Sequence, residues 1–328
     1  MRAVVLDRTA VLFVGVAMGV MIGVAFASHT PAPPRAKLAA SAATSASPAA
    51  APAGKAPVIK VTAGRGADCP QPLQARMLQN LAKGGEVNVA VFGDSFGDGV
   101  WAALYRRLPK SDHYNVVKFS QESTGLTRYD LATLEDRTNA QITSQPVDVA
   151  VIDFGANDMR GIVQDGHVYQ LFTPAWRVAY GQRIDRMVAL LRSRGAVVYW
   201  VGLPKMREAA YDQDVAQMNA FLSDHMAQLG VPFIDTQPLS VDQTGAFNAY
   251  LPPPGGTEPK LMRANDGIHM TMAGYELITA PLVDRIQAYV AQSRKAAAAL
   301  TSAKAGAPAG QPLTAPAEAS AQPVSPAA

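Results

Sequence analysis

The chain carries the stretch VNVAVFGDSFG at residues 87–97, and this stretch decides the class of fold. Its first six residues are nearly all apolar, as in a strand that is buried on both faces of a parallel sheet. Gly93 then allows a sharp turn, and a helical pattern follows. A buried strand that passes through a glycine turn into a helix predicts an α/β fold, with Ser95 exposed at the carboxyl end of the strand.

The same pattern recurs along the chain. Apolar runs that predict further strands lie at residues 115–119, 147–154, 196–201 and, more briefly, 231–235. Helical periodicity follows these runs, at residues 99–108, 130–143, 175–193, 212–228 and 272–294. Buried strands that alternate with helices predict a three-layer α/β/α sandwich with a mainly parallel, flavodoxin-like sheet. In such a sheet, ligands bind at the carboxyl ends of the strands.

Two long connections depart from this alternation, at residues 160–174 and 237–265. Connections of such length in a compact domain are usually functional or disordered. Because both border the edge of the sheet where the motifs lie, we expect them to form lids or walls of a substrate site.

Both ends of the chain differ in composition from its middle. Residues 31–63 and 299–328 are rich in Ala, Pro and Ser. They contain too few large apolar side chains to offset the entropy of ordering them. We therefore predict a disordered linker at residues 28–65, one domain at 66–296 and a disordered tail at 297–328.

The N-terminus has the layout of a secretory signal. Arg2 and Arg8 precede an apolar run over residues 10–27, whose end, Ala25-Phe26-Ala27, offers a small-residue cleavage site. The run is also just long enough to span a bilayer. Residues 1–27 are therefore either a cleaved signal peptide or an anchor in which residues 10–27 tether the protein to a membrane. Both alternatives predict a periplasmic or extracellular domain.

The charge balance argues against one class of partner. The formal net charge of the chain is +3, but residues 64–296 hold 22 basic and 24 acidic side chains. We therefore expect no binding to nucleic acid, which needs a basic face.

Cys69 is the only cysteine, so it cannot form an intramolecular disulfide. No His/Cys cluster has the spacing of metal ligands, and we predict neither a metal nor a cofactor.

A serine, a histidine and an aspartate stand at the two ends of the predicted domain. Ser95 lies in the sequence Gly-Asp-Ser-Phe-Gly, which matches the G-x-S-x-G pattern of an exposed nucleophile. A serine needs a base, and the base needs an orienting carboxylate. His269 is the only histidine that comes with a carboxylate at a fixed spacing, because Asp266 precedes it across a glycine turn. These three residues are the candidate catalytic group.

Acyl transfer also needs donors for the oxyanion that forms on attack. Three are available at predicted strand ends: the backbone N–H of Ser95, the backbone N–H of Gly125 and the side-chain amide of Asn157. Ser95 and Asn157 each have a structural alternative, since serine and asparagine at such turns also cap helices.

Four motifs together resemble the blocks of the SGNH (GDSL-like) hydrolases: Gly93-Asp94-Ser95, Gly125, Gly155-Ala156-Asn157-Asp158 and Asp266-Gly267-Ile268-His269. They occur in the order of that family, over about residues 85–290. Residues 123–126, 200–207 and 263–269 are similar to a bacterial envelope subgroup, DUF459. The resemblance implies Ser95 as the nucleophile, His269 as the base and Asp266 as its orienter. It also implies an oxyanion hole formed by Ser95, Gly125 and Asn157.

The sequence therefore predicts an extracytoplasmic serine esterase that removes O-acetyl or other short acyl groups from cell-envelope carbohydrate. Its partner would be a small-molecule or glycan ester. A non-catalytic module of the same fold that binds glycans or proteins remains an alternative, as does a lipase or thioesterase. An α/β-hydrolase is disfavoured because acid and base here share one turn. A nucleotide-binding protein is disfavoured because the Gly93 loop has acidic residues and lacks a Walker lysine.

Four arginines near the ends of motifs are candidate substrate contacts that would favour anionic substrates: Arg128, Arg160, Arg207 and Arg263. The alternative is that they pair with nearby carboxylates. Trp176 could stack on a sugar or pack in the core.

Overall fold

The central sheet contains five parallel strands, and the first of them ends at the Gly93 turn. The structure is a computed structural model that describes residues 71–305, with side chains to residue 302. The strands are β1 (Val87–Gly93), β2 (Tyr114–Lys118), β3 (Val149–Asp153), β4 (Ile162–Gln164), β5 (His167–Tyr169), β6 (Val197–Val201), β7 (Phe233–Ile234), β8 (Tyr250–Leu251) and β9 (Lys260–Leu261). The helices are α1 (Ala75–Leu81), α2 (Ser95–Arg107), α3 (Leu131–Ser144), α4 (Pro174–Ser193), α5 (Ala209–Leu229) and α6 (Met272–Ala305).

The order of strands in the central sheet is β2-β1-β3-β6-β7. This is the flavodoxin-like order. The direction in which successive strands are added to the sheet reverses between β1 and β3, while the strands themselves stay parallel. Gly93 lies beside Asp153 in the register of these two strands. The loops that follow β1 and β3 therefore start side by side, at the crevice where doubly wound sheets bind ligands. The predicted fold class is confirmed.

Each face of the sheet is covered by an apolar layer. Along β1, Val89 and Val91 belong to one layer, whereas Ala90 and Phe92 belong to the other. The first layer includes residues of α1, α2 and α6, and the second includes residues of α3 and α4, while α5 contributes to both. This alternation along a strand that is nearly all apolar explains why the sequence of β1 predicts burial on both faces.

Two helix boundaries differ markedly from those expected from the sequence, and one helix is additional. Helix α2 begins at Ser95, four residues before the predicted start, because the Asp94 side chain accepts a hydrogen bond from the Phe96 N–H and caps the helix. Helix α1 was not expected. Helix α6 continues to Ala305, beyond the predicted end of the domain at residue 296. Its extension is rich in alanine, which favours helix, and Ala297 is buried.

Each of the two long connections contains a small antiparallel hairpin. Strands β4 and β5 pair within residues 160–174, and β8 and β9 pair within residues 237–265. None of the helices in the described part of the chain has the length and apolar character that crossing a bilayer requires. The predicted N-terminal segment, the linker, Cys69 and most of the tail lie outside the described residues.

Candidate active site

The structure brings Ser95, His269 and Asp266 into one hydrogen-bonded chain. Ser95 is the first residue of α2, directly after β1, and its Oγ lies 2.8 Å from Nε2 of His269. Nδ1 of the same ring lies 2.7 Å from Oδ2 of Asp266. Although 174 residues separate the serine and the histidine in sequence, the fold places both at the carboxyl edge of the sheet.

The aspartate and the histidine share a tight turn. Oδ1 of Asp266 accepts hydrogen bonds from the backbone N–H groups of Ile268 and His269, at 2.8 and 2.9 Å. Gly267 has a φ of 75°, which favours glycine, and a Cβ there would lie only 2.6 Å from Cβ of Arg207. The turn therefore fixes the carboxylate and the ring in a single arrangement.

Hydrogen bonding keeps the Asp266 carboxyl ionised. Its partial burial acts to raise its pKa, but the hydrogen bonds from the His269 ring and from the backbone N–H groups of Ile268 and His269 outweigh burial. They lower the pKa of Asp266 to about 2. A carboxylate in this position holds the Nδ1–H tautomer of the ring, which leaves Nε2 free to accept a proton from the serine.

Two of the predicted arginines support this turn. The Arg207 side chain donates to the carbonyl of Asn265 at 2.9 Å, and its guanidinium lies over the ring of Phe247. Arg263 is fully buried, and its Nη2 donates to the carbonyls of Gly267 and Ile268, at 3.3 and 3.0 Å. The expectation that Arg263 contacts substrate is therefore wrong, because its guanidinium lies within the protein and holds the Asp–His turn.

The three predicted oxyanion donors lie on adjoining loops. The side-chain amide of Asn157 donates to the carbonyl of Thr124 at 2.9 Å, and a Cβ on Gly125 would lie 3.4 Å from Cβ of Asn157. The Thr124 hydroxyl donates to the carbonyl of Gly93, two residues before Ser95, at 3.3 Å. An asparagine amide has two N–H donors, so one of them is not needed for the bond to Thr124.

Asp158 is a residue of this site that the sequence did not single out. It is fully buried, and its carboxylate accepts hydrogen bonds from the Leu126 N–H, the Thr127 N–H, the Thr127 hydroxyl and the Tyr180 hydroxyl, at 2.7–3.1 Å. These bonds fix the Gly125 loop against Asn157. The only signal was its position as the last residue of the Gly-Ala-Asn-Asp motif.

Helix α4 supports these loops from behind with three buried side chains. The indole of Trp176 donates to the carbonyl of Arg160 at 2.8 Å and stacks on Tyr180, with 4.6 Å between ring centroids. Arg183 donates to the carbonyl of Leu126 at 3.1 Å. Trp176 is fully buried, so it packs in the core and does not stack on a sugar.

A pair of buried carboxyl groups lies beneath the Ser95 turn. Burial raises the pKa of Asp94 to about 7, against the lowering effect of the backbone N–H groups of Phe96 and Asn157. Burial also raises the pKa of Asp153 well above its ordinary value. Neither carboxyl oxygen of Asp153 has a hydrogen-bond partner among the described residues. Burial without a hydrogen-bond partner thus favours the protonated, neutral form of Asp153.

Outside the candidate active site, one other histidine of the described region is paired with a carboxylate through its side chain. His225 pairs with Asp185 at 2.7 Å, a contact that the sequence did not reveal because 40 residues separate the two. Within residues 71–305, no group of three or more His, Cys, Asp or Glu side chains could hold a metal ion. The expected lack of a metal or cofactor stays a prediction.

A family of proteins of unknown function, DUF459, matches residues 88–285 of the chain. None of the curated proteins compared with the chain matches it. Among solved structures, the chain is similar to a GDSL-like lipase from Bacteroides thetaiotaomicron, with 17% identity, 61% of this chain and 87% of the other covered, and a TM-score of 0.43.

Two further solved structures are similar. The aryl esterase of M. smegmatis, in an inhibitor-bound form, is 13% identical, with 62% and 99% of the two chains covered and a TM-score of 0.43. The periplasmic domain of a lipopolysaccharide acetyltransferase from Salmonella ser. Paratyphi A is 14% identical, with 63% and 86% covered and a TM-score of 0.46.

Proposed function

We propose that the chain, which belongs to the DUF459 family, is an extracytoplasmic serine esterase that removes O-acetyl or other short acyl groups from cell-envelope carbohydrate. The single observation that carries the proposal is the unbroken chain from Ser95 Oγ through His269 to Asp266, with contacts of 2.8 and 2.7 Å. A module that only binds glycans or proteins has no need of a serine, a base and an orienting carboxylate in this arrangement.

The first half of the reaction forms an acyl-enzyme. Ser95 Oγ attacks the carbonyl carbon of the ester while Nε2 of His269 takes the hydroxyl proton. The negative charge moves to the former carbonyl oxygen, which the N–H groups of Ser95, Gly125 and Asn157 stabilise. When the C–O bond of the ester breaks, His269 returns the proton to the leaving alcohol.

The second half regenerates the enzyme. A water molecule gives its proton to His269 and attacks the acyl carbon, and the bond to Ser95 Oγ breaks as the histidine returns the proton to that oxygen. The acid product leaves. Through both halves, Asp266 stays ionised, since its pKa is held at about 2, and it stabilises the imidazolium that forms twice.

The exposure of the site to solvent favours an ester substrate in which a short acyl group is attached to a large alcohol. The side chains of His269 and Asp266 are 38% and 44% exposed, so the base and its orienter face solvent. A carbohydrate polymer can approach such a site without entering the protein, whereas a long acyl chain needs an apolar channel to bury it. The secretory layout of residues 1–27 is the basis for placing the enzyme outside the cytoplasm.

Hydrolysis assays with the full chain test the proposal. We expect p-nitrophenyl acetate to be cleaved and Ser95→Ala to lower kcat by at least about 10³-fold. The control Ser144→Ala, which changes an exposed serine at the end of α3, should leave the rate unchanged. Equal rates for the wild type and Ser95→Ala would overturn the proposal. Faster cleavage of long-chain than of acetyl esters would favour the lipase or thioesterase alternative.

A further inference from the structure

Three arginines of the described region have a guanidinium that makes no hydrogen bond, ion pair or ring contact with other described residues: Arg107, Arg128 and Arg160. All three residues are exposed to solvent. Arg107 lies in the last turn of α2. The other two lie on the loops that carry the proposed oxyanion donors, Arg128 three residues after Gly125 and Arg160 three residues after Asn157.

The hydrogen bonds of Asp158 bring these two arginines together. Oδ1 of Asp158 accepts from the backbone N–H and the hydroxyl of Thr127, at 2.8 and 2.7 Å. Thr127 immediately precedes Arg128, and the Arg160 N–H donates to the carbonyl of Asp158 at 2.7 Å. The contact between Asp158 and Thr127 therefore fixes the backbone at both arginines. The same contact holds them near Gly125 and Asn157.

The local carboxylates do not neutralise these charges. Asp158 is buried and already accepts four hydrogen bonds. The carboxylate of Asp130 accepts the Thr133 N–H as the cap of α3 and forms no ion pair among the described residues. Arg207 and Arg263, the other arginines near the site, are occupied with the Asp266–His269 turn. Two cations thus remain beside the site without a partner among the described residues.

We propose that Arg128 and Arg160 form an anion-recognition pair, which selects esters that carry a carboxylate or a phosphate group near the scissile bond. The proposal rests on the esterase function proposed above and names the class of substrate. A guanidinium presents a planar fork of N–H donors that matches carboxylate and phosphate oxygens. Because the two side chains are exposed, they can turn toward a substrate without breaking an existing ion pair.

The physical effect expected of such a pair is selectivity. Charges at the rim of a site attract an anionic ligand and suppress neutral competitors, and the effect weakens with salt. The group that the arginines contact does not react, so they would act in binding and leave the bond-making to Ser95. An acetylated acidic sugar or a phosphate-bearing envelope polymer would each present the required anion beside an ester.

Three acetyl esters of one shape test the proposal with the full chain. They are 4-acetoxybenzoate, which carries a carboxylate, its neutral methyl ester, and 4-acetoxyphenyl phosphate. The readout is the ratio of kcat/KM for each anionic ester to kcat/KM for the neutral one. We expect the double variant Arg128→Gln/Arg160→Gln to lower this ratio roughly tenfold. High salt should lower the ratio of the wild type in the same direction.

Arg107→Gln is the matched control, because it removes an arginine that equally has no partner in the described part of the chain but lies twelve residues along α2 from Ser95. It should leave the ratio at the wild-type value. A fall with the carboxylate alone, or with the phosphate alone, identifies which anion the pair recognises. A ratio that the double variant leaves unchanged, or that Arg107→Gln lowers equally, overturns the proposal. If the wild type cleaves none of the three esters, the esterase function itself fails, and this inference fails with it.

Discussion

Asn157 illustrates how a single side chain can serve both the structure and the proposed reaction. Its amide donates to the carbonyl of Thr124, which ties the loop after β3 to the Gly125 loop. The second N–H of the same amide is the proposed oxyanion donor. The residue can therefore tie the two loops together without losing the proposed catalytic role; this bond is not the helix cap that the sequence offered as an alternative.

Replacing this amide should lower the rate more than the stability. We expect Asn157→Ala to reduce kcat by about 10²–10³-fold, because one preorganised donor to the oxyanion is lost. KM should change little, since the ground-state carbonyl binds the donor weakly. Steady-state kinetics with p-nitrophenyl acetate give both constants. Asn139→Ala, at an exposed asparagine of α3, serves as the control. A kcat within threefold of the wild type would remove Asn157 from the oxyanion hole.

The residues of the proposed catalytic group could be predicted from the sequence because their signals are local. Asp266 and His269 share one turn, and Ser95 follows a strand and a glycine. The burial of Arg263 could not be predicted in this way. Its partners are backbone carbonyls of the turn and the sulfur of Met270, and only the packed structure determines that its guanidinium points inward. In the sequence, an arginine near a motif looks the same whether its guanidinium is buried or exposed.

Among the elements, α4 has a role beyond covering the sheet. Its residues Trp176, Tyr180 and Arg183 lie on one face of the helix and contact the loops that carry Arg160, Asp158 and Leu126. The helix thus links the loop after β3 to the loop after β2. We infer that it sets the distance between the Gly125 and Asn157 donors.

The hydroxyl of Tyr180 tests this role of α4. We expect Tyr180→Phe to lower kcat about tenfold with little change in KM, because Asp158 loses one of the four hydrogen bonds that hold the Gly125 loop. A hydrogen bond to a charged group contributes about 1.5–3 kcal/mol, so the free energy of unfolding should fall by a similar amount. Tyr289→Phe removes a hydroxyl that donates to the carbonyl of Pro72, and it should leave kcat unchanged. An equal loss of kcat in both variants would show a general effect of destabilisation.

The main elements could be predicted because their patterns are long and regular. The strands of the central sheet and the helices between them lie close to their expected positions, since the buried strands are mostly apolar and the helices have apolar stripes. The two hairpins could not be recognised. Their strands are two or three residues long, which is too short for a periodicity, and their pairing depends on the packing of the surrounding chain.

At the scale of the whole molecule, the buried carboxyl of Asp153 links stability to pH. Folding raises its pKa well above the ordinary value of 3.8, because burial disfavours the charged form. Between these two pKa values, the folded state holds a proton that the unfolded state has lost. The stabilisation is therefore complete below about pH 4 and is lost as the pH rises through the folded pKa.

Asp153→Asn should remove this dependence. The free energy of unfolding of the wild type, relative to that of the variant, should fall as the pH rises from 5 to 7, with a slope of up to about 1.4 kcal/mol per pH unit. Urea denaturation at a series of pH values gives both free energies. Asp224→Asn, at an exposed aspartate, provides the baseline for removing a surface charge. A difference between wild type and Asp153→Asn that is flat with pH would show that the buried carboxyl is ionised in the folded protein.

The fold brings Ser95, the proposed nucleophile, to a base from the far end of the domain. Covalent labelling tests it most directly and requires no knowledge of the substrate. The full chain is incubated with a p-nitrophenyl alkylphosphonate, whose phosphorus an activated serine attacks with loss of nitrophenolate, and adducts are mapped by peptide mass spectrometry. We predict a single adduct on Ser95 that is absent in Ser95→Ala and forms at least about 10²-fold more slowly in His269→Ala. No adduct, or an adduct at another residue that Ser95→Ala leaves in place, would contradict the account.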